Sequence, residues 1–110
     1  MAEMEVAFMK TKADFDKCLA DAGDKLVVVD FTATWCPPCQ MIKPKFKALN
    51  QELAGAVVMI AVDVDENAET SESAGITCMP TFQFYKGAAK VDEMQGANYD
   101  GLVEKINALK

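Results

Sequence analysis

Two kinds of apolar pattern alternate along the chain. Strands are predicted at residues 4–8, 26–31, 57–64, 81–85 and 90–94. Residues 26–31 and 57–64 are rich in β-branched side chains and lack polar alternation, which is typical of strands buried on both faces. The last two strands are joined by a turn at Gly87 and therefore predict a hairpin.

Helices are predicted between these strands from apolar residues at helical spacing. The stripes are Phe15, Cys18, Leu19 and Ala22; Ile42, Phe46, Leu49 and Leu53; and Tyr99, Leu102, Val103, Ile106 and Leu109. Residues 67–74 are polar and predict a short surface helix that ends at Gly75. Thr11 and Asn98 are expected to cap the first and last helices, and Pro44 is expected to kink the second because it lacks an N–H group.

The predicted order is β-α-β-α-β-α-β-β-α. Strands alternating with helices favour parallel pairing, and the final hairpin adds antiparallel pairing. The fold class is therefore α/β, with a mixed sheet between helices. No repeat or linker interrupts the sequence, so residues 1–110 are expected to form a single domain.

Charge and composition narrow the possible functions. Eleven basic and seventeen acidic side chains give a net charge of −6, which disfavours nucleic acid and anionic membrane surfaces as partners. Histidine is absent, which excludes His-based catalysis and most zinc sites. The acidic N-terminal residues are unlike a signal peptide, and no apolar run is as long as a membrane span, so a cytoplasmic location is predicted.

The pair Cys36 and Cys39 flanks two prolines where a buried strand gives way to a helix. Two cysteines three residues apart in a first helical turn can form a disulfide with little backbone movement. Cys36 lies at the helix amino end, where free N–H groups and the helix dipole favour a thiolate. Cys39 lies one turn further in and should be more buried.

A Cys-x-x-Cys beside a β-α-β pattern indicates a dithiol redox site. Residues 29–39, Val-Asp-Phe-Thr-Ala-Thr-Trp-Cys-Pro-Pro-Cys, resemble the active-site segment of the thioredoxin family. Cys78-Met79-Pro80-Thr81-Phe82, Gly96-Ala97-Asn98 and Pro44 match further landmarks of that family, in the same order. The resemblance favours the animal cytosolic type, and implies a thioredoxin fold with a central mixed five-stranded sheet flanked by four helices.

The resemblance also implies roles for three residues. Cys36 matches the nucleophile, and Cys39 matches the cysteine that closes the internal disulfide. Asp30 matches a buried acid behind the second sulfur, where burial should raise its pKa and make it a proton acceptor for Cys39. The alternative is an ordinary solvated aspartate at a strand end.

A substrate-binding surface follows from the same resemblance. Pro80 matches the cis proline that faces the dithiol, and Trp35, Met79, Gly96 and Ala97 match an apolar rim. The predicted substrate-binding residues are Trp35, Pro37, Pro38, Met79, Pro80, Thr81, Gly96 and Ala97. The alternatives are a packed aromatic residue at Trp35, an ordinary turn at Gly96-Ala97 and a simple strand start at Met79-Pro80-Thr81.

Two positions depart from the family pattern. Pro37 stands where Gly is usual, so the Cys36 thiolate loses one N–H donor and its pKa should be higher than with Gly. Ala61 stands where many bacterial relatives carry a lysine that faces the buried acid.

Cys78 is either a regulatory thiol, able to form a homodimer, or a passive small side chain.

The predicted function is protein-disulfide reduction without a bound cofactor. The resemblance implies thioredoxin reductase as electron donor, with ribonucleotide reductase, peroxiredoxins and methionine sulfoxide reductases as recipients. The alternatives are a tryparedoxin-like protein, an oxidising isomerase-like domain and a non-catalytic binding module. A zinc site is disfavoured because only one cysteine pair has ligand spacing. Separately, the acidic segment at residues 63–67 is interpreted as a solvated strand end and helix start.

Overall fold

Residues 5–110 are described by the computed structural model. Its elements are β1 Ala7–Phe8, α1 Lys12–Asp21, β2 Leu26–Thr32, α2 Pro37–Glu52, β3 Val57–Asp63, α3 Ala68–Ser73, β4 Thr81–Lys86, β5 Ala89–Gln95 and α4 Tyr99–Leu109. The predicted order of strands and helices is confirmed. The opening strand is shorter than predicted, and Met4 lies outside the described residues.

The five strands form one mixed sheet in the order β1-β3-β2-β4-β5. β3 runs parallel to β1 and β2, whereas β4 is antiparallel to β2 and β5 is antiparallel to β4. β2 therefore occupies the centre of the sheet, which explains why all seven of its residues are buried. The carboxyl end of this central strand leads directly to the dithiol segment.

Helices cover both faces of the sheet. Val28 of β2 packs with Phe46 of α2 and Ile106 of α4 in one core. Val29, the next residue along β2, packs with Phe15 of α1 in the other. Successive strand residues thus point to opposite cores, as the unbroken apolar run of β2 predicted.

The helix starts follow local capping chemistry. The side chains of Thr11 and Asn98 accept N–H bonds from Asp14 and Gly101, as predicted. α2 begins with two prolines at its first positions, where their missing N–H groups have no intrahelical partner to lose. α2 continues through Pro44.

The prediction that residues 63–67 are solvated was wrong for Asn67. This side chain is buried, and its Nδ2 donates to the Met9 carbonyl oxygen at 3.0 Å. Its Oδ1 accepts from the backbone N–H and the hydroxyl of Thr70. Thr70 and Ser71 are buried as well, so α3 is polar in sequence yet buries one face against the strand before it.

Candidate active site

The dithiol segment is held where β2 ends and α2 begins. The backbone N–H of Cys36 donates to the Ala33 carbonyl oxygen at 3.3 Å. The side-chain amide of Gln40, one turn into α2, donates to the same oxygen at 3.0 Å. These two bonds fix the turn between strand and helix, and place Cys36 at the N-cap of α2.

The two sulfurs of the dithiol are joined as a disulfide between Cys36 and Cys39, whose Cα atoms are 5.3 Å apart. Cys36 is 5% exposed and Cys39 is 0% exposed, so the predicted order of burial is confirmed. The backbone N–H of Cys39 donates to Cys36 Sγ at 3.3 Å. Pro37 and Pro38, both exposed, offer no N–H group to that sulfur.

A second loop meets the dithiol through Met79. The Met79–Pro80 peptide bond is cis, the isomer that the family resemblance implies. Cys36 Sγ lies 3.6 Å from the Met79 carbonyl oxygen. The backbone N–H of Gly96 donates to the Pro80 carbonyl oxygen at 2.9 Å, so the turn at Gly96 lies beside this loop.

The other residues that the sequence places beside this loop differ in exposure. Thr81 is buried, and its hydroxyl donates to the Cys78 carbonyl oxygen at 2.7 Å. Cys78 and Ala97 are exposed, and Met79 is half-buried. The structure thus brings Met79 against Cys36 and Gly96 against Pro80, and leaves Cys78 and Ala97 exposed to solvent.

Trp35 is held in place by a contact that no sequence pattern predicted. Its side chain is 63% exposed, yet its Nε1 donates to Asp65 Oδ2 at 2.7 Å. The backbone N–H of Asp65 donates in turn to Asp63 Oδ1, which shapes the loop after β3. Asp65 lies 30 residues from Trp35 in sequence, so no local pattern links the two residues. The several aspartates in this loop were the only sequence signal for the contact.

Asp30 is buried in the sheet, only 4% exposed. It pairs in register with Ala61 on one side and Phe82 on the other. Its Oδ1 has no hydrogen-bond partner among the described residues, and burial raises its pKa to about 7. The prediction of a buried acid with a raised pKa is therefore confirmed, and the solvated alternative is wrong.

The other two cysteines take no part in the disulfide. Cys18 and Cys78 are free thiols, and burial, with Asp21 nearby, raises the pKa of Cys18. Within residues 5–110, no three His, Cys, Asp or Glu side chains are placed to hold a metal ion. Over the same residues, no helix has both the length and the apolar character needed to cross a membrane.

Comparison with known proteins identifies the family that this architecture matches. The family model described as "Thioredoxin" matches residues 6–108. A thioredoxin of Geodia cydonium is 58% identical over 106 residues, which cover 96% of this chain and 99% of that protein. The Homo sapiens thioredoxin is 48% identical over 101 residues, 92% of this chain and 95% of that one. The crystal structure of Fasciola hepatica thioredoxin superimposes with a TM-score of 0.93 at 41% identity, and covers 96% of this chain and 100% of that one.

Proposed function

From the premise that this chain belongs to the thioredoxin family and is a thiol–disulfide oxidoreductase, we propose how its residues divide the reaction. Cys36 is the nucleophile, Cys39 is the resolving thiol and Asp30 is the proton acceptor. The observation that carries this assignment is the Cys36–Cys39 disulfide at the start of α2, with the Cys39 amide directed at Cys36 Sγ.

In the first step, the Cys36 thiolate attacks one sulfur of a disulfide in the target protein. A bond forms between Cys36 Sγ and that sulfur, the target disulfide breaks, and the leaving thiolate takes a proton from solvent. The position of Cys36 supports this role, because the Cys39 N–H and the helix dipole both favour negative charge on its sulfur. The same position makes Cys36 the more accessible of the two sulfurs.

In the second step, Cys39 attacks Cys36 Sγ and releases the second target sulfur as a thiolate. The Cys39 thiol transfers its proton to the Asp30 carboxylate as it attacks, and the Cys36–Cys39 disulfide forms. Two electrons have then passed from the dithiol to the target. A pKa of about 7 suits Asp30 to this task, because such a carboxylate both accepts and returns a proton near neutral pH.

The target protein docks on the surface around Cys36. We propose that Trp35, Pro37, Pro38, Met79, Gly96 and Ala97 form this surface, and that Pro80 and Thr81, which are both buried, support it from beneath. The exposed indole of Trp35 and the exposed proline rings supply apolar contact area. The Met79 carbonyl oxygen, 3.6 Å from Cys36 Sγ, is placed to accept a hydrogen bond from an extended substrate backbone.

The family implies thioredoxin reductase as electron donor and disulfide-containing proteins as recipients. We propose ribonucleotide reductase, peroxiredoxins and methionine sulfoxide reductases as recipients, and the cytoplasm as the location.

Cys78 is exposed and is the candidate for a regulatory thiol that links two copies of the chain. We propose that residues 1–110 form one domain.

The test of the function is insulin reduction driven by NADPH and thioredoxin reductase. The wild-type protein is expected to turn over, and Cys36→Ser is expected to lose all turnover. Cys18→Ser is the matched control, since it removes a half-buried thiol away from the dithiol and should keep full activity. Unchanged activity in Cys36→Ser would contradict the proposal and favour a non-catalytic binding module.

Equilibration with a glutathione buffer separates a reductant from an oxidising isomerase. Thioredoxins have potentials of about −270 mV and protein disulfide isomerase about −180 mV. We expect a value close to the thioredoxin figure. A value near that of the isomerase would contradict the role as a reductant while leaving thiol exchange intact.

A further inference from the structure

A cavity of about 330 Å³ lies on the side of the sheet covered by α2. Asp30 of β2 and Ala61 of β3 line it, together with Phe46 of α2. Val6 and Phe8 from the start of the chain line it as well. A volume of this size is at the lower end of small-ligand sites, which are about 300–1,000 Å³.

The carboxylate of Asp30 is the unusual feature of this cavity. Asp30 and Ala61 are register partners on adjacent strands, and the Ala61 side chain ends at its β-carbon, so it supplies no polar group. Oδ1 of Asp30 is buried and has no hydrogen-bond partner among residues 5–110. Burial is the cause of the raised pKa of Asp30.

We propose that this cavity binds a small primary alkylammonium ion, whose ammonium group donates to the Asp30 carboxylate while its alkyl chain packs against Phe8 and Phe46. An ammonium ion offers three donors to Asp30 Oδ1, a buried acceptor that has no partner within residues 5–110. Val6, Phe8 and Phe46 supply the apolar surface against which the alkyl chain packs. Binding here requires no redox step, so this inference stands or falls independently of the proposed function.

Four other charged groups line the cavity and set the background for pH dependence. Glu5 and Lys47 pair at 2.8 Å, and Lys43 and Asp63 add one charge of each sign. Their charges sum to zero, so the net preference for a cation comes from Asp30. Binding should strengthen as pH rises through about 7, where Asp30 ionises, and should weaken above about 10, where the ammonium loses its proton.

The experiment is an NMR titration of the oxidised protein with n-butylammonium chloride and, as an uncharged match, n-butanol. At about pH 8.5, wild type should bind the ammonium ion about tenfold more tightly than the alcohol. At about pH 5.5 this preference should fall to about twofold or less, since Asp30 is then mostly protonated. The shifted amides should be those of residues that line the cavity.

Two variants make the result decisive. Asp30→Asn keeps the shape of the side chain but removes its charge, and should bind the ammonium ion and the alcohol equally at both pH values. Ala61→Leu should fill the cavity and abolish saturable binding of either probe, with its fold verified by its free energy of unfolding. If that variant does not fold, Asp30→Asn alone decides.

Three results would overturn the inference. One is equal binding of ammonium ion and alcohol to wild type, which would mean an apolar cavity only. Another is a preference for the ammonium ion that survives in Asp30→Asn. The third is the absence of saturable shifts around the cavity with either probe.

Discussion

The backbone N–H of Cys39 donates to Cys36 Sγ at 3.3 Å, within the first turn of α2. The two residues between them are prolines and contribute no N–H group. The sulfur that must become a thiolate therefore depends on this single amide and on the helix dipole.

Restoring an N–H group at position 37 should lower the pKa of Cys36. Pro37→Ala and Pro37→Gly each supply the missing donor, and a thiolate is stabilised by every additional hydrogen bond. Ultraviolet thiolate absorbance of the reduced protein measures the pKa. Because only the glycine variant also adds backbone flexibility, comparing the two variants separates that effect from the effect of the new donor. A Cys36 pKa lower in wild type than in both variants would contradict the argument.

The buried carboxyl of Asp30 should make stability depend on pH. The folded state keeps the proton up to about pH 7, whereas the unfolded chain releases it near its ordinary pKa of about 3.9. Between these values the folded state binds more protons, so stability is lost as pH rises through this window and levels off above it. The loss should be about 4 kcal/mol, at about 1.4 kcal/mol per pKa unit.

Asp30→Asn should remove this pH dependence and be more stable than wild type above pH 7. Urea unfolding of the oxidised protein across the pH range measures it. Asp24→Asn, which changes an exposed carboxylate, should follow the wild-type curve. Parallel curves for wild type and Asp30→Asn would show that the carboxyl is not buried as described.

Removing the indole of Trp35 should impair reduction of proteins more than reduction of small disulfides. Trp35→Ala is expected to lower kcat/KM for insulin about tenfold, because an exposed aromatic anchor contributes to docking. The rate with a small aromatic disulfide, which needs no docking surface, should change by less than about twofold. The control is Val91→Ala, which removes another exposed apolar side chain, on edge strand β5. If Trp35→Ala lowered the rates with insulin and with the small disulfide equally, that result would contradict the docking role.

The hairpin between β4 and β5 contains a strained residue. Gly87 and Ala88 both have positive φ angles, 59° and 63°, which glycine tolerates and alanine does not. Ala88→Gly should therefore raise the free energy of unfolding by about 0.5–1 kcal/mol. Gly87→Ala should lower it, and chemical denaturation of the three proteins tests both signs.

Local signals were enough to predict the framework of this molecule. The unbroken apolar run of β2 and the two prolines at the start of α2 determine where the dithiol lies, because each acts on its own segment. Contacts between distant segments left no local pattern. The path of the loop after β3 determines both the Trp35–Asp65 bond and the bond from buried Asn67 to the Met9 carbonyl oxygen. The cavity beside Asp30 depends on which residue of β3 pairs with Asp30.

The division of labour between the two sulfurs is tested most directly by trapping the mixed disulfide. Reduced Cys39→Ser and reduced Cys36→Ser are each mixed with a disulfide-containing target, and the adducts are mapped by mass spectrometry. Cys39→Ser should accumulate a stable disulfide between Cys36 and the target, because the resolving thiol is missing, while Cys36→Ser should accumulate almost none. A stable adduct on Cys39 in Cys36→Ser, with none on Cys36 in the other variant, would contradict the assignment.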